Sequence, residues 1–233
     1  MDVKIGGHLM GDFGLKLLGI EIGAPELQSC VQEIPGRDGT LDLSDALTGF
    51  PTFKNVKHKL TFDFKDGGYE RWLSAASRLK GAIHGKRLPV VIGNDTYYYD
   101  ARVYVNTEKL NSDYSKVEIE LDAAPYKLAL RDSTEDWIWD TFNFETDVIR
   151  EYKDIPVTTG SFTVVGGDRP TRCAFICSEA MEVVFVGTGS LAGILYELTA
   201  GRNENPDFLI YGEQELLFFG SGTVSIEYRD RRF

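Results

Sequence analysis

The residues best able to do chemistry in this chain are its histidines and cysteines, and their spacing matches no reactive or metal-binding motif. The histidines are His8, His58 and His84, with no cysteine near them and no H-x-H or H-x-x-x-H pair. A zinc site is therefore not expected. No G-x-S-x-G sequence marks a nucleophilic serine either. The sequence predicts a protein that is not an enzyme and that uses no cofactor or metal.

The three cysteines, Cys30, Cys173 and Cys177, are odd in number and fit no redox motif. If Cys173 and Cys177 share one strand, about 13 Å separates them, which is too far for a disulfide. We expect all three thiols to be reduced and buried as small apolar residues. Such thiols are typical of a protein that folds in a reducing cytosol.

One glycine pattern resembles a nucleotide-binding loop. Gly187, Gly189 and Gly193 follow the strand-like sequence VVFV, as in a dinucleotide fingerprint. Such a loop must open a helix whose N-terminus meets the pyrophosphate. Here ILYELTAG follows, which is typical of a strand, so a hairpin turn is the better interpretation.

Two aromatic groups have the residue types of a sugar-binding platform. Trp137 and Trp139 lie in one acidic stretch, and Tyr97, Tyr98 and Tyr99 are consecutive. For the tryptophans we favour packing at a domain junction. For Tyr97 and Tyr99, which share one face of a strand, we favour packing on a half-buried face.

Strand patterns dominate the elements that must position these residues. In 57–64, Leu60, Phe62 and Phe64 alternate with polar residues and so share one face. Further strands are predicted at 88–93, 97–105 and 115–123, with turns at 93–96 and 110–113. Their short connections favour an antiparallel meander.

One segment has helical spacing instead. In 69–86, Trp72, Ala76, Leu79 and Ile83 recur on one helical face, and Gly85 is a suitable stop. We expect this helix to cover one face of a sheet.

The composition changes near residue 130. After an acidic, aromatic-rich stretch come seven short strand-like pieces, SFTVV, RCAFICS, MEVVFVG, GILYELTA, DFLIYG, QELLFFG and TVSIEYRD, separated by Gly-rich turns. This pattern is typical of a β-sandwich. We therefore predict a mainly β protein of two domains, with strands and a single α-helix in 1–130 and a β-sandwich without a helix in 131–233.

Residues 34–55, IPGRDGTLDLSDALTGFPTFKN, fit neither pattern. Turn residues are mixed with isolated apolar residues, and we expect no regular secondary structure. At this length the segment is either a functional excursion or a misread element.

Charge excludes two classes of partner. The net charge is -11, and residues 133–233, with 17 acidic and 8 basic residues, carry -9 of it. An acidic surface repels nucleic acid and anionic membranes. No apolar run approaches the ~20 residues that span a bilayer, and no secretory signal is visible. We expect no sequence-specific nucleic-acid binding and no membrane insertion.

In 34–64 the sequence resembles a signature of siphophage distal tail proteins. The matching residues are Pro35, Gly36, Arg37, Asp38, Gly39, Leu41, Asp42, Phe53, Asn55, Leu60, Phe62 and Phe64. Further matches are His84, Gly85, Lys86, Tyr98, Tyr99, Ala101 and Arg102. The C-terminal GEQELLFFGSGTVSIEYRDRRF is similar to the ending of the family. Lys57 departs from the pattern, since the family often has Arg in that region.

The resemblance implies a structural protein of the virion. Its N-terminal domain would be a β-sandwich with one helix that closes a homohexameric ring, and its C-terminal domain would be a galectin-like β-sandwich. The ring would be a hub that joins the major tail tube protein to the tail-tip protein of the baseplate. It would also anchor receptor-binding protein for host attachment. Assembly would take place in the bacterial cytoplasm, and the protein would lie at the distal tip of the tail.

Residues 34–55 are then predicted to be an inter-subunit arm. A ring needs a head-to-tail interface, and isolated apolar residues on a loop need a surface to bury against. The predicted arm residues are Arg37, Asp38, Leu41, Asp42, Leu43, Leu47, Phe50 and Phe53.

The alternative function is a carbohydrate-binding module, because galectin-like sandwiches often bind sugars. Residues 133–233 contain no histidine, whereas galectin-type sites resemble His-x-Asn-x-Arg with a stacking tryptophan. A retained fold without a retained site is the better interpretation.

Overall fold

The computed structural model describes residues 1–64, 68–109, 115–136, 149–158, 160–186 and 193–233. The chain forms two compact units, Met1–Lys127 and Leu128–Phe233. The architecture is mainly β with antiparallel sheets, and the described residues contain one α-helix, so the predicted fold class is confirmed. The roles predicted for the two parts, ring-forming for 1–130 and galectin-like for 131–233, stay predictions.

The first unit is built on one sheet and one helix. Its elements are β1 Val3–Ile5, β2 His8–Leu9, a 3₁₀ helix Met10–Phe13, β3 Leu15–Ile22, β4 Val31–Glu33, β5 Thr40–Asp42, β6 Val56–Phe64, α1 Tyr69–Ile83, β7 Arg87–Ile92, β8 Tyr97–Lys109 and β9 Ser115–Ala129. The strand order of the sheet is β2-β1-β7-β8-β9-β6-β3, while β4 and β5 pair only with each other.

The alternating pattern of β6 sets the core of this unit. Leu60 and Phe62 lie opposite Ile119 and Val117 of β9, and all four side chains are buried. Because residues directly opposite share a face, the apolar sides of the two strands meet the same core. The predicted strand faces are confirmed.

Helix α1 covers that core as predicted. Its residues Ala75, Leu79 and Ile83 pack in the same apolar cluster as the sheet. The helix ends where Gly85 takes a left-handed conformation, with φ of 75°, which glycine adopts without steric cost. Tyr99 is half-buried and packs against this core, and Tyr97 is buried, so packing is confirmed for both.

The second unit is a sandwich of two four-stranded sheets. Its strands are β10 Ile155–Pro156, β11 Gly160–Val165, β12 Thr171–Cys177, β13 Met181–Val186, β14 Leu195–Leu198, β15 Gly201–Ile210, β16 Glu213–Phe219, β17 Thr223–Glu227 and β18 Arg231–Arg232. The sheet orders are β10-β17-β12-β15 and β11-β16-β13-β14, and β18 pairs with β9, whose last two residues belong to this unit. Both sheets contribute to one buried core.

The cysteines lie in two different environments. Cys173 and Cys177 are buried on β12, and burial raises the pKa of Cys173 to about 12 and that of Cys177 to about 11. All three thiols are free, as expected. The prediction of burial is wrong for Cys30, which is exposed because it lies in a segment that leaves the sheet.

Some sequence-based interpretations fall on residues outside the described part of the chain. These are the tryptophan pair Trp137 and Trp139, the turn at 110–113, and Gly187 and Gly189 of the glycine pattern. The piece that follows the pattern does form a strand, β14, rather than a helix.

Candidate functional site: an exposed hairpin segment

A long excursion connects two neighbouring strands of the first sheet. The chain leaves at the end of β3 and returns at the start of β6, and we call residues 23–55 the hairpin segment. Its two ends run side by side. Gln28 N–H donates to the Thr52 carbonyl (2.8 Å) and Lys54 N–H donates to the Glu26 carbonyl (2.9 Å). We call residues 26–28 and 52–54 the neck.

Beyond the neck the segment folds on itself. Strand β4 pairs with β5 in an antiparallel hairpin, with Gln32 opposite Leu41. The expectation that 34–55 lacks regular structure is therefore wrong for Thr40–Asp42. All three residues of β4 are exposed, so this strand has no buried face and leaves no alternating pattern in the sequence.

Side chains fasten the open end of this hairpin. Ser44 Oγ donates to Asp42 Oδ1 (2.5 Å) and accepts a hydrogen bond from Cys30 N–H (2.9 Å). Ser44 N–H also donates to the same carboxylate oxygen (2.9 Å). These hydrogen bonds from Ser44 lower the pKa of Asp42, because they favour its charged form. The carboxylate of Asp42, one of the predicted arm residues, is thus hydrogen-bonded within the segment itself.

Two contacts fix the returning chain to the sheet. The ring of Phe53 meets that of Tyr126 edge to face, with centroids 6.0 Å apart. Next to it, Asn55 Nδ2 donates to Asp122 Oδ1 (3.2 Å). Phe53 therefore belongs to the anchored neck, and the other seven predicted arm residues lie beyond it.

At the base of the segment, Gly23 and His58 are in contact. Gly23 N–H donates to His58 Nδ1 (3.2 Å), which requires a lone pair on that nitrogen. A Cβ on residue 23 would lie 2.5 Å from the Lys57 carbonyl oxygen, so a side chain does not fit. His58 is buried, and burial lowers its pKa.

Acidification below about pH 6.5, the ordinary histidine pKa, is expected to destabilise the first unit. The pKa of His58 is lower in the folded protein than in the unfolded chain, so the unfolded chain binds the proton more readily. The contribution is fully present above about pH 6.5 and is lost as the pH falls toward the folded pKa. Urea unfolding at a series of pH values measures this slope.

The His58→Gln variant tests the assignment, because glutamine accepts a hydrogen bond but does not titrate. It should flatten the pH dependence between about pH 5 and 7. His8→Gln, which removes an exposed histidine, is the matched control. An unchanged slope in His58→Gln would contradict the assignment.

The predicted apolar arm residues are poorly covered by the rest of the chain. Leu47 is 100% exposed, Leu41, Leu43 and Phe50 are only half-buried, and none of them belongs to either buried core. Outside the predicted set, Val31 is 53% exposed. The hairpin segment thus presents apolar side chains that this chain leaves open to solvent.

The charged residues at the hairpin turn are Arg37 and Asp38. Within the described part of the chain, the side chains of Arg37 and Asp38 form no hydrogen bond or ion pair. The Arg37 backbone closes the turn by donating to the Ile34 carbonyl (3.2 Å). Their charges are available to another molecule.

The second unit has a polar groove of about 540 Å³. Arg202 crosses it, donating to both carboxylate oxygens of Glu227 (2.9 and 3.0 Å) and to Glu204 (2.6 Å). The one aromatic residue lining it, Tyr228, is buried and donates its hydroxyl to the Val165 carbonyl. Without an exposed ring for stacking, the groove gives a carbohydrate-binding function no support.

The described residues contain no group of three or more His, Cys, Asp or Glu side chains placed to hold a metal ion. No helix in that same part of the chain is long and apolar enough to span a membrane.

The fold and the hairpin segment define a mainly β protein of two units that carries an exposed excursion with uncovered apolar side chains. No family model and no curated protein sequence matches the chain. Its fold does match a solved structure, the Dit (gp 19.1) protein of phage SPP1, with a TM-score of 0.68 and 12% identity. The match covers 100% of this chain and 99% of that one. The SPP1 protein is described as a paradigm of the hub of the adsorption apparatus in phages that infect Gram-positive bacteria.

Proposed function

We propose that this chain is a structural protein of a phage tail that forms a hub at the distal end of the tail. The observation that carries the proposal is the fold shared over the full length with the SPP1 hub protein, at a TM-score of 0.68. The resemblance of 34–64 to the distal tail protein signature supports the same function from the sequence. The protein acts by assembly and not as an enzyme.

The hub is a homohexameric ring, and the hairpin segment crosses from each subunit to the next. Such an interface is head-to-tail, and it closes when the rotation between neighbours divides a full turn evenly. The exposed Leu47 and the unpaired Arg37 and Asp38 support this role. Burial of the apolar side chains on the neighbour would drive the contact, and the charges would set its register.

The ring has partners on both of its faces. It joins the major tail tube protein to the tail-tip protein, and it anchors receptor-binding protein. Its place is the virion, after assembly in the bacterial cytoplasm.

At high concentration, native mass spectrometry of the purified protein is expected to find a species of six times the monomer mass. Electron microscopy of the same sample should show closed rings. Because weak rings dissociate on dilution, the concentration series is part of the measurement. A stable dimer with two-fold symmetry would contradict the proposal, since an isologous interface does not build a ring of this kind.

A further inference from the structure

The outer face of the β11-β16-β13-β14 sheet carries an apolar row that runs across three strands. Leu195 of β14 lies opposite Val184 of β13, and Val184 lies opposite Leu217 of β16. Residues directly opposite share a face, so the three side chains are continuous. Leu195 is 51% exposed, and the other two are half-buried. This row faces away from the buried core.

Acidic residues border the row on both sides. On one side Glu197 lies opposite Glu182, which in turn lies opposite Phe219. On the other side Val186 lies opposite Glu215. Phe219 and Val186 are themselves exposed and extend the apolar surface between the carboxylates. We call the apolar row and its two bordering rows the acidic-rimmed face.

The carboxylates of this face have no counter-charge among the described residues. Glu182, Glu197 and Glu215 form no ion pair or side-chain hydrogen bond in the described part of the molecule. Moreover, like charges directly opposite each other, as in Glu182 and Glu197, are unfavourable for a sheet. The repulsion between these carboxylates therefore lowers the stability of the sandwich, and no contact among the described residues offsets it.

The outer face of the other sheet shows the contrast. There Arg202 pairs with Glu204 and Glu227, so the acidic residues are compensated within the same unit. Acidity alone does not distinguish the two faces. What distinguishes the acidic-rimmed face is uncompensated charge around exposed apolar side chains.

We propose that the acidic-rimmed face binds a partner protein whose contact surface has an apolar centre flanked by Lys or Arg. Burial of the apolar row would stabilise such a complex, and the partner's cations would relieve the repulsion between Glu182 and Glu197. A second copy of this face would set carboxylates against carboxylates, and nucleic acid or anionic lipid would be repelled. The inference concerns the second unit alone and does not depend on ring formation.

Three short synthetic peptides test the chemistry of this surface on the full chain. One alternates Leu and Lys, the second replaces Leu by Ser, and the third replaces Lys by Glu. Isothermal titration calorimetry at low and high salt is expected to detect binding of the Leu/Lys peptide only, weaker at high salt. Binding of the Ser/Lys peptide with equal affinity would overturn the proposal, since it would show charge attraction without an apolar site.

Charge reversal locates the binding. The double variant Glu182→Lys/Glu197→Lys should weaken binding of the Leu/Lys peptide about tenfold or more. The matched control Glu151→Lys/Glu179→Lys changes the net charge equally at two exposed acids outside the strands. An equal loss in both variants would place the binding elsewhere and overturn the proposal.

Two readouts separate binding from folding and from self-association. The single variant Glu197→Lys removes the repulsion between the two opposite carboxylates and should raise the melting temperature of the second unit. The same variant should bind the Leu/Lys peptide more weakly. Leu195→Ser should lower the affinity for the Leu/Lys peptide and leave the oligomeric state of the protein unchanged. If Leu195→Ser instead abolished a concentration-dependent association of the protein with itself, the occupant would be a second copy and the proposal would be wrong.

Discussion

Replacing residues 29–51 with a short Gly/Ser linker is expected to abolish ring formation while leaving thermal unfolding of the first unit nearly unchanged. The replaced part contains β4, β5 and the exposed Leu47, and none of its residues belongs to a buried core. The neck remains, so the ends of the linker lie at paired backbone positions and the loop closes at little entropic cost.

The size of the expected effect follows from the apolar residues that the segment exposes. Each apolar side chain that becomes fully buried on a neighbour contributes roughly 1.5–3 kcal/mol. Several such residues offset the cost of ordering and association at an interface. Their joint removal should therefore leave no detectable ring at concentrations where the unaltered protein assembles.

Point variants sharpen this test. Leu47→Ser changes a fully exposed residue of the segment and should weaken the ring, whereas Leu73→Ser changes an exposed leucine on α1 and should not. Mass photometry and calorimetric melting are measured on the same samples. Rings that persist after the replacement would refute the crossing arm, and an unfolded first unit would show that the segment belongs to the core.

Phe175→Ala is expected to destabilise the second unit by about 3–5 kcal/mol. Phe175 is completely buried and contacts three other rings edge to face. The centroid distances are 6.2 Å to Phe185, 4.9 Å to Phe208 and 5.9 Å to Phe218. These rings come from both sheets, so the cavity would open at the centre of the sandwich, where backbone shifts fill it poorly.

Hydrogen exchange measures this loss strand by strand. Amides of β12 and β16 should lose protection in Phe175→Ala, while those of β6 and β8, which lie wholly in the first unit, serve as the internal reference. Phe219→Ala, on the outer face of the same sandwich, removes an equal volume from a surface position and should cost under about 1 kcal/mol. If the two substitutions lowered the free energy of unfolding equally, the cluster of phenylalanine side chains would not be the centre of the core.

Regular alternation made much of this fold predictable from the sequence. In β6, Leu60 and Phe62 lie on the buried face as the pattern requires, and α1 follows its apolar spacing. Both elements have one face in a core and one outside it. Because only the buried face requires apolar residues, these residues recur in the sequence with the period of the element.

Elements without that asymmetry were missed or shortened. Strand β4 has no buried face, so nothing in its sequence indicated a strand. Strand β15 extends over Gly201–Ile210, but only its last part was predicted, because Pro206 and the polar residues before it are unlike a central strand. The strand lies at the edge of its sheet, where proline is tolerated.

The candidate site also has a part that the sequence predicted and a part that it could not predict. Turn residues and isolated leucines indicated residues 34–55 of the hairpin segment, since they conflict with any single period. Residues 23–33, which include β4, were not assigned to it. The contacts that hold it could not be predicted, because Gly23 and His58 are 35 residues apart and Asn55 and Asp122 are 67 apart. Only the sheet register, which no local pattern contains, brings these residues together.

The neck has a consequence for how such a protein can diversify. Because the excursion starts and ends at neighbouring points, its length and sequence can change without shifting any strand pair of the sheet. In the proposed ring, selection on the sheet and selection on the contact with the next subunit would then act on separate parts of the first unit. A hairpin exchanged between homologues at the neck would, in that ring, transfer the preference for a neighbour and leave the sheet unaltered.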